Sequence, residues 1–203
     1  MADHPGDHVD AVLEGDGGAI HDVGRRYYRH RMGDLFLTVV DTDVALDNAR
    51  RVADLVVDHL VDTGLILPVM TVCALGSPGH PPGPAAPSEA HDMPGTNGMT
   101  IDIGRRAYGM MPGLEAYCPS CDGVAPEEDV YRLMSQWEED ACDGYRTCPD
   151  CRQRTHLNDL YWGDALPLLG TLAFTFWNWP DIDLCDELAR PTGHRMLQAM
   201  GKL

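Results

Sequence analysis

The chain has 203 residues, 15 Lys+Arg against 32 Asp+Glu for a formal net charge of −17, and 44% apolar residues. That apolar share supports one ordinary domain with a core, and no apolar run approaches the ~20 residues of a membrane span. The charge disfavours a broad nucleic-acid or anionic-membrane surface, which needs a basic face. The basic residues are 14 Arg and one Lys, Lys202, and the acids are 24 Asp and 8 Glu. This Arg- and Asp-rich usage suits a GC-rich bacterial coding sequence. Met1 to Asp10 is acidic and polar, without the basic and apolar regions of a secretory signal, so the expected location is cytoplasmic.

Residues 1–19 read as a mobile acidic tail. Residues 20–115 read as an N-terminal strand–helix–strand region. Within it, 20–28 suggests a short strand, and Arg25, Arg26, Arg29 and Arg31 cluster around His30. Leu35 to Val40 is β-branched and aromatic and reads as a buried strand. Asp41, Thr42 and Asp43 supply helix N-cap candidates. The stripe Ala45, Ala49, Val52, Ala53, Val56 and Leu60 then predicts a helix over 44–62, with Asp47 and Arg51 spaced as an i,i+4 pair and Gly64 as its stop. Leu65 to Leu75 is apolar and reads as the returning strand. Residues 76–98 hold six Pro and five Gly, which predicts an exposed loop. A strand is expected over 99–103. Asp22-Val23-Gly24-Arg25-Arg26 is echoed by Asp102-Ile103-Gly104-Arg105-Arg106 at a constant offset, either as related strand-turns or by coincidence.

Val130, Leu133, Met134, Trp137 and Ala141 predict a second helix over 126–141, entered at Pro126 with acids in its first turn and left at Gly144. Residues 157–203 read as a C-terminal strand–helix–strand packing on the N-terminal region. Its parts are a strand over 171–179, a short helix over 182–190 capped by Asp181, and a last strand over 194–203.

The strongest signal is in the cysteines. Cys118-Pro119-Ser120-Cys121 and Cys148-Pro149-Asp150-Cys151 form a C-x2-C pair of knuckles separated by 26 residues. Four thiolates on two such turns can close a tetrahedral site around Zn2+. Pro stiffens each turn, and Gly123 offers a bend at positive φ. Residues 116–156 thus resemble the zinc-ribbon class, whose knuckles commonly read CPxC. The resemblance implies that Cys118, Cys121, Cys148 and Cys151 hold a structural zinc ion. The helix expected between the knuckles departs from a minimal ribbon. A thioredoxin-like redox pair is the rival, but Asp122-Gly123-Val124-Ala125-Pro126 does not suit a helix opening at Cys121. Cys142 and His156 are alternate ligands by proximity in sequence. Cys73 and Cys185 read as small core residues.

No P-loop, G-x-G-x-x-G, H-E-x-x-H or G-x-S-x-G motif is present, so no catalytic residue is assigned. Phe174-Thr175-Phe176-Trp177-Asn178-Trp179 is aromatic on both faces if extended, with Trp177 and Trp179 sharing one. It is either core or a recognition surface, and Trp177, Asn178 and Trp179, with Arg152 and Arg154, are the binding candidates. The expected fold is α/β or α+β, a mixed sheet with two to three helices and an embedded zinc-knuckle module of four cysteine ligands. The expected function is a non-enzymatic, zinc-stabilised adaptor for a protein partner, a basic one by charge, as for an immunity protein. The alternatives are an enzyme acting on a small substrate near Trp177 and Trp179, and nucleic-acid binding through the ribbon with Arg146, Arg152 and Arg154.

Overall fold

A computed structural model describes residues 34–92, 96–109, 115–162 and 167–203. The elements in chain order are β1 (Leu35–Asp41), α1 (Ala49–Asp62), β2 (Thr71–Val72), β3 (Pro78–Gly79), β4 (Gly98–Tyr108), β5 (Ala116–Tyr117), β6 (Val124–Ala125), α2 (Glu127–Glu138), β7 (Tyr145–Thr147), β8 (Arg154–His156), β9 (Tyr161–Trp162), β10 (Leu168–Trp177), α3 (Cys185–Ala189) and β11 (Met196–Lys202). The expected tail, the 20–28 strand, the Arg25–Arg31 cluster and the first half of the 22–26/102–106 echo lie outside the described residues. Among the described residues, no helix is long and apolar enough to cross a membrane.

The main sheet has the order β11-β1-β10-β4, and every pairing in it is antiparallel. A central strand covered on both faces needs a continuous apolar run, and β10 supplies one in Leu168-Leu169-Gly170-Thr171-Leu172-Ala173-Phe174. On one face Leu37, Val39, Leu172, Phe174 and Phe176 meet α1 through Val52, Ala53, Val56 and Leu60 and α3 through Leu188. The other face is shallower, formed by Val40, Leu168, Ala173 and Ala199. Gly170 is required by close approach, because a Cβ there would run into Val40 Cγ1. The sheet register slips next to it, between Gly170 and Leu172.

A second core joins the knuckle region to the end of this sheet. Ala116, Ala125, Val130, Leu133, Met134, Leu157, Leu160 and Trp162 pack with Leu169 of β10. Asn158 extends the junction: its Nδ2 donates to Leu169 O at 2.8 Å, and its Oδ1 accepts from Leu169 N at 2.7 Å. Arg105 of β4 anchors the end of α2. Its Nε and Nη2 donate to Trp137 O and Cys142 O, both at 2.7 Å, and its guanidinium lies 3.6 Å over the Trp137 ring. These are charge-assisted bonds to backbone carbonyls at and just beyond the end of α2, the stronger sort of hydrogen bond.

Several local expectations are corrected. The helix expected from residue 44 begins at Ala49 with Asn48 at its N-cap. Asp41 caps nothing helical. Fully buried, its Oδ1 accepts from the backbone of Asp43 and Val44 at 3.0 and 2.9 Å, and its Oδ2 meets His194 Nδ1 at 2.7 Å. Asp47 accepts from Asn48 at 3.2 Å rather than pairing with Arg51. Leu65 to Leu75 is not a long strand. Thr71 and Val72 pair with Pro78 and Gly79, and Ile66 forms an isolated bridge with Pro82. The loop over 76–98 folds onto the core, burying Ala90, His80 and Asn97. His80 exchanges two 2.8 Å backbone bonds with Met99, and Asn97 Nδ2 donates to Ala90 O at 2.5 Å. The strand expected over 99–103 runs on to Tyr108. The short helix has Leu184 rather than Asp181 at its N-cap, and Asp183 just before it accepts from Cys185 N at 2.9 Å through Oδ1.

Candidate metal centre

Both knuckles are the turns of short antiparallel hairpins. Cys118 to Gly123 joins β5 to β6, and Cys148 to Gln153 joins β7 to β8. Their backbone bonding is equivalent. Cys118 N donates to Gly123 O at 2.9 Å and Asp122 N to Cys118 O at 2.9 Å. Cys148 N donates to Gln153 O at 2.9 Å and Arg152 N to Cys148 O at 3.0 Å. The fifth residue of each turn is left-handed, Asp122 at φ 55° and Arg152 at φ 64°. The positive φ expected at Gly123 therefore sits one residue earlier, on an aspartate, which tolerates it better than most side chains. Gly123 serves a different need, since a Cβ there would clash with Asp150 of the opposite knuckle.

The two turns bring four sulfurs together, all within 4.8 Å of one another. The nearest pairs cross between knuckles: Cys118 Sγ to Cys151 Sγ is 3.6 Å, and Cys121 Sγ to Cys148 Sγ is 3.7 Å. Four sulfurs each about 2.3 Å from one ion stand about 3.8 Å apart at tetrahedral corners. The spacing fits a shared ion. It does not suit a disulfide inside each C-x2-C, and all seven cysteines are free. Cys118 and Cys148 are buried while Cys121 and Cys151 are exposed. Backbone N–H groups of Cys151 and Asp150 aimed at Cys148 bring its thiol down to about 7, against the desolvation that opposes it. Cys121 accepts from Gly123 N–H, which acts downward, yet its hydrogen bonds to the other three thiols and its desolvation push it up to about 12. Cys148 and Cys121 thus shift in opposite directions, as expected of interacting groups that share one site.

Cys142 and His156 stand outside this cluster. Cys142 Sγ lies 3.5 Å from Leu133 O. His156 Nδ1 accepts from Asn158 N at 3.1 Å, and its ring meets those of Tyr145 and Trp137 edge-on at 5.0 and 6.1 Å. Cys73 is buried and Cys185 half-buried.

The aromatic candidates lie elsewhere. Trp177 is at the far end of β10 from Leu169, eight residues or about 26 Å along the strand, paired with Phe36 and Gly98. Its Nε1 donates to Thr100 Oγ1 at 3.1 Å. Asn178 turns the chain at φ 58°, with Oδ1 accepting from Leu35 N at 3.0 Å and Nδ2 donating to Asp34 at 3.0 Å. That turn sends Trp179 to the same side as Phe176, 4.8 Å away between ring centroids, rather than to the face of Trp177 as expected. Trp179 is buried. Arg154 pairs with Asp143 and lies 4.1 Å over Tyr145, while Arg152 is exposed.

Two further features had little sequence signal. A cleft of about 300 Å3 is lined by His156, Asp43, Asp143, Asp159 and Arg195, with Arg195 Nη1 2.6 Å from Asp159. Burial holds His156 below the usual imidazole range, with Asp159 and Asp143 opposing and Arg195 assisting. The unfolded chain therefore binds the extra proton, and this residue's share of stability is complete above about pH 6.5 and is lost as pH falls toward the folded value. His156→Gln is expected to flatten the stability profile of metal-loaded protein over that window, read as urea midpoints. Parallel profiles for the two proteins would contradict it.

The second feature is a ridge. Leu67, Val69, Met70, Val72 and Leu75 are all exposed, Val72 at 64% and Leu75 at 69%. An apolar run reads as buried, and nothing local signalled otherwise.

Comparisons with protein-family models, with curated proteins and with solved structures return no match for this chain.

Proposed function

We propose that the chain is a zinc-stabilised, non-enzymatic protein-binding module of the zinc-ribbon kind, with a helix inserted between its knuckles. An all-thiolate tetrahedral donor set suits Zn2+, and four protein ligands leave no open position for water or substrate. The ion is structural, and such thiols stay reduced in the cytoplasm, where we place the protein. One observation carries the binding half: five large apolar side chains exposed within nine residues on the β2–β3 ridge, the sort of patch that marks an interaction surface. The net charge of −17 makes a basic protein the complementary partner.

From extract of the native host, the wild-type chain is expected to retain a basic protein in stoichiometric amount, with capture weakened by salt. Val72→Glu with Leu75→Glu should abolish capture without moving the melting temperature, because both side chains already face water. Capture that survives the double substitution, or that ignores salt, would contradict the reading.

An enzymatic reading keeps one specific support, the His156 cleft; burial of Trp179 lends none to the strand end. For nucleic acid, Arg154 is held by Asp143 and Arg146 is buried, which leaves Arg152 as the exposed, uncommitted guanidinium of the β7–β8 hairpin.

A further inference from the structure

Arg146 is 8% exposed, yet its guanidinium has no hydrogen bond or ion pair among the described residues, and its Nη1 is fully buried without a partner. The other described arginines are either paired or solvated. Arg105, Arg106, Arg132, Arg154, Arg190 and Arg195 each hold a carboxylate. Arg50, Arg51 and Arg152 are exposed. A buried, unpaired charge is costly, and a chain with 32 acids had partners to offer. That makes an absent anion the natural counter-charge.

Arg146 lines a cleft of about 340 Å3 between α2 and β7. Arg132 stands on the opposite wall, half-exposed and 3.1 Å from Asp129. Leu133, Tyr145 and Pro149 supply apolar lining. Glu127, Glu128 and Asp129 crowd the first turn of α2, which opposes a dianion more than a monoanion. We propose that this cleft binds a carboxylate carried on an apolar or aromatic body, with Arg146 and Arg132 as its two cationic contacts. The fork of each guanidinium matches the two carboxylate oxygens, and the body displaces water from the apolar wall. The site is separate from the Leu67–Leu75 ridge, so it stands or falls independently of the docking reading.

The test is titration of the full-length, zinc-loaded protein at constant ionic strength with four probes: benzoate, an acetylated Ala-Ala-Phe peptide as free acid, the same peptide as amide, and inorganic phosphate. Benzoate or the free-acid peptide should bind, the amide should not, and phosphate should bind more weakly. Tighter binding of the peptide would identify a chain terminus as the source, and tighter binding of benzoate a free small acid. Arg146→Met, which replaces an unpaired charge by an apolar chain of similar length, should keep fold and zinc but lose binding. Arg132→Gln, on an exposed position, should weaken binding about tenfold, as for loss of one charge-assisted contact. No binding of either carboxylate, a preference for phosphate, retained binding in Arg146→Met, or unchanged affinity in Arg132→Gln would each overturn the proposal. So would loss of zinc from Arg146→Met with no carboxylate binding by the wild type, since Arg146 would then merely balance the thiolates.

Discussion

Replacing Cys118 with serine is expected to release the metal and unfold the knuckle region. Cys118 is buried at the mouth of the first turn, and its sulfur lies 3.6 Å from Cys151 across the site. Removing it leaves three ligands and one open corner. Structural zinc in small peptides holds about 10–16 kcal/mol of apparent binding energy near neutral pH, against a total stability of about 5–15 kcal/mol for an ordinary domain. The strands of the second core, β5, β6 and β9, contribute two residues each, so the ion must supply much of what α2 and the Leu169 junction do not. The expected result is a melting temperature lower by at least about 10 °C, with amide protection lost first over 115–162. The main sheet has its own core around Phe174 and should keep part of its protection. Unchanged melting and protection would contradict a structural role for the four-cysteine cluster.

Phe174→Ala is expected to be the most damaging single change in the main sheet. Phe174 is fully buried at the centre of β10, beside Val39 on β1 and Ile101 on β4. It packs in the cluster that holds α1 and α3 to the sheet. Truncating a buried phenylalanine costs about 3–5 kcal/mol, the transfer term plus the cavity left behind. In this case relaxation is limited because close-packed neighbours come from four elements. Urea denaturation of zinc-loaded protein should show the loss with little change in slope, while zinc content stays at the wild-type level. A loss under about 1 kcal/mol would mean that this face is not the principal core.

Local periodicity was readable where one face of an element packs against one layer. The α1 stripe Ala49, Val52, Ala53, Val56 and Leu60 is buried as its spacing implies, and so are Val130, Leu133 and Met134 of α2. The C-x2-C spacings predicted the knuckles because ligand geometry is set by residues three apart in one turn, a local constraint. Partners far along the chain were not readable. Leu65 to Leu75 has strand composition, but the main sheet is made of β11, β1, β10 and β4, so this segment pairs with the Pro- and Gly-rich stretch that follows it, through β3 and an isolated Ile66–Pro82 bridge. The Pro- and Gly-rich stretch carries no period, yet Ala90 and Asn97 are buried through contacts that no pattern encodes. Trp179 changed faces because Asn178 adopts a left-handed turn, which extended alternation does not anticipate. Arg146 lies in the short hairpin strand Tyr145-Arg146-Thr147, where only the packing of α2 reveals that the charged member faces inward.

The most direct test of the account is metal analysis of protein purified without added metal, with thiols titrated before and after chelation. One zinc per chain and four thiols newly reactive on chelation are predicted, matching Cys118, Cys121, Cys148 and Cys151. Metal-free protein that is folded, with the same number of reactive thiols before and after chelator, would contradict it.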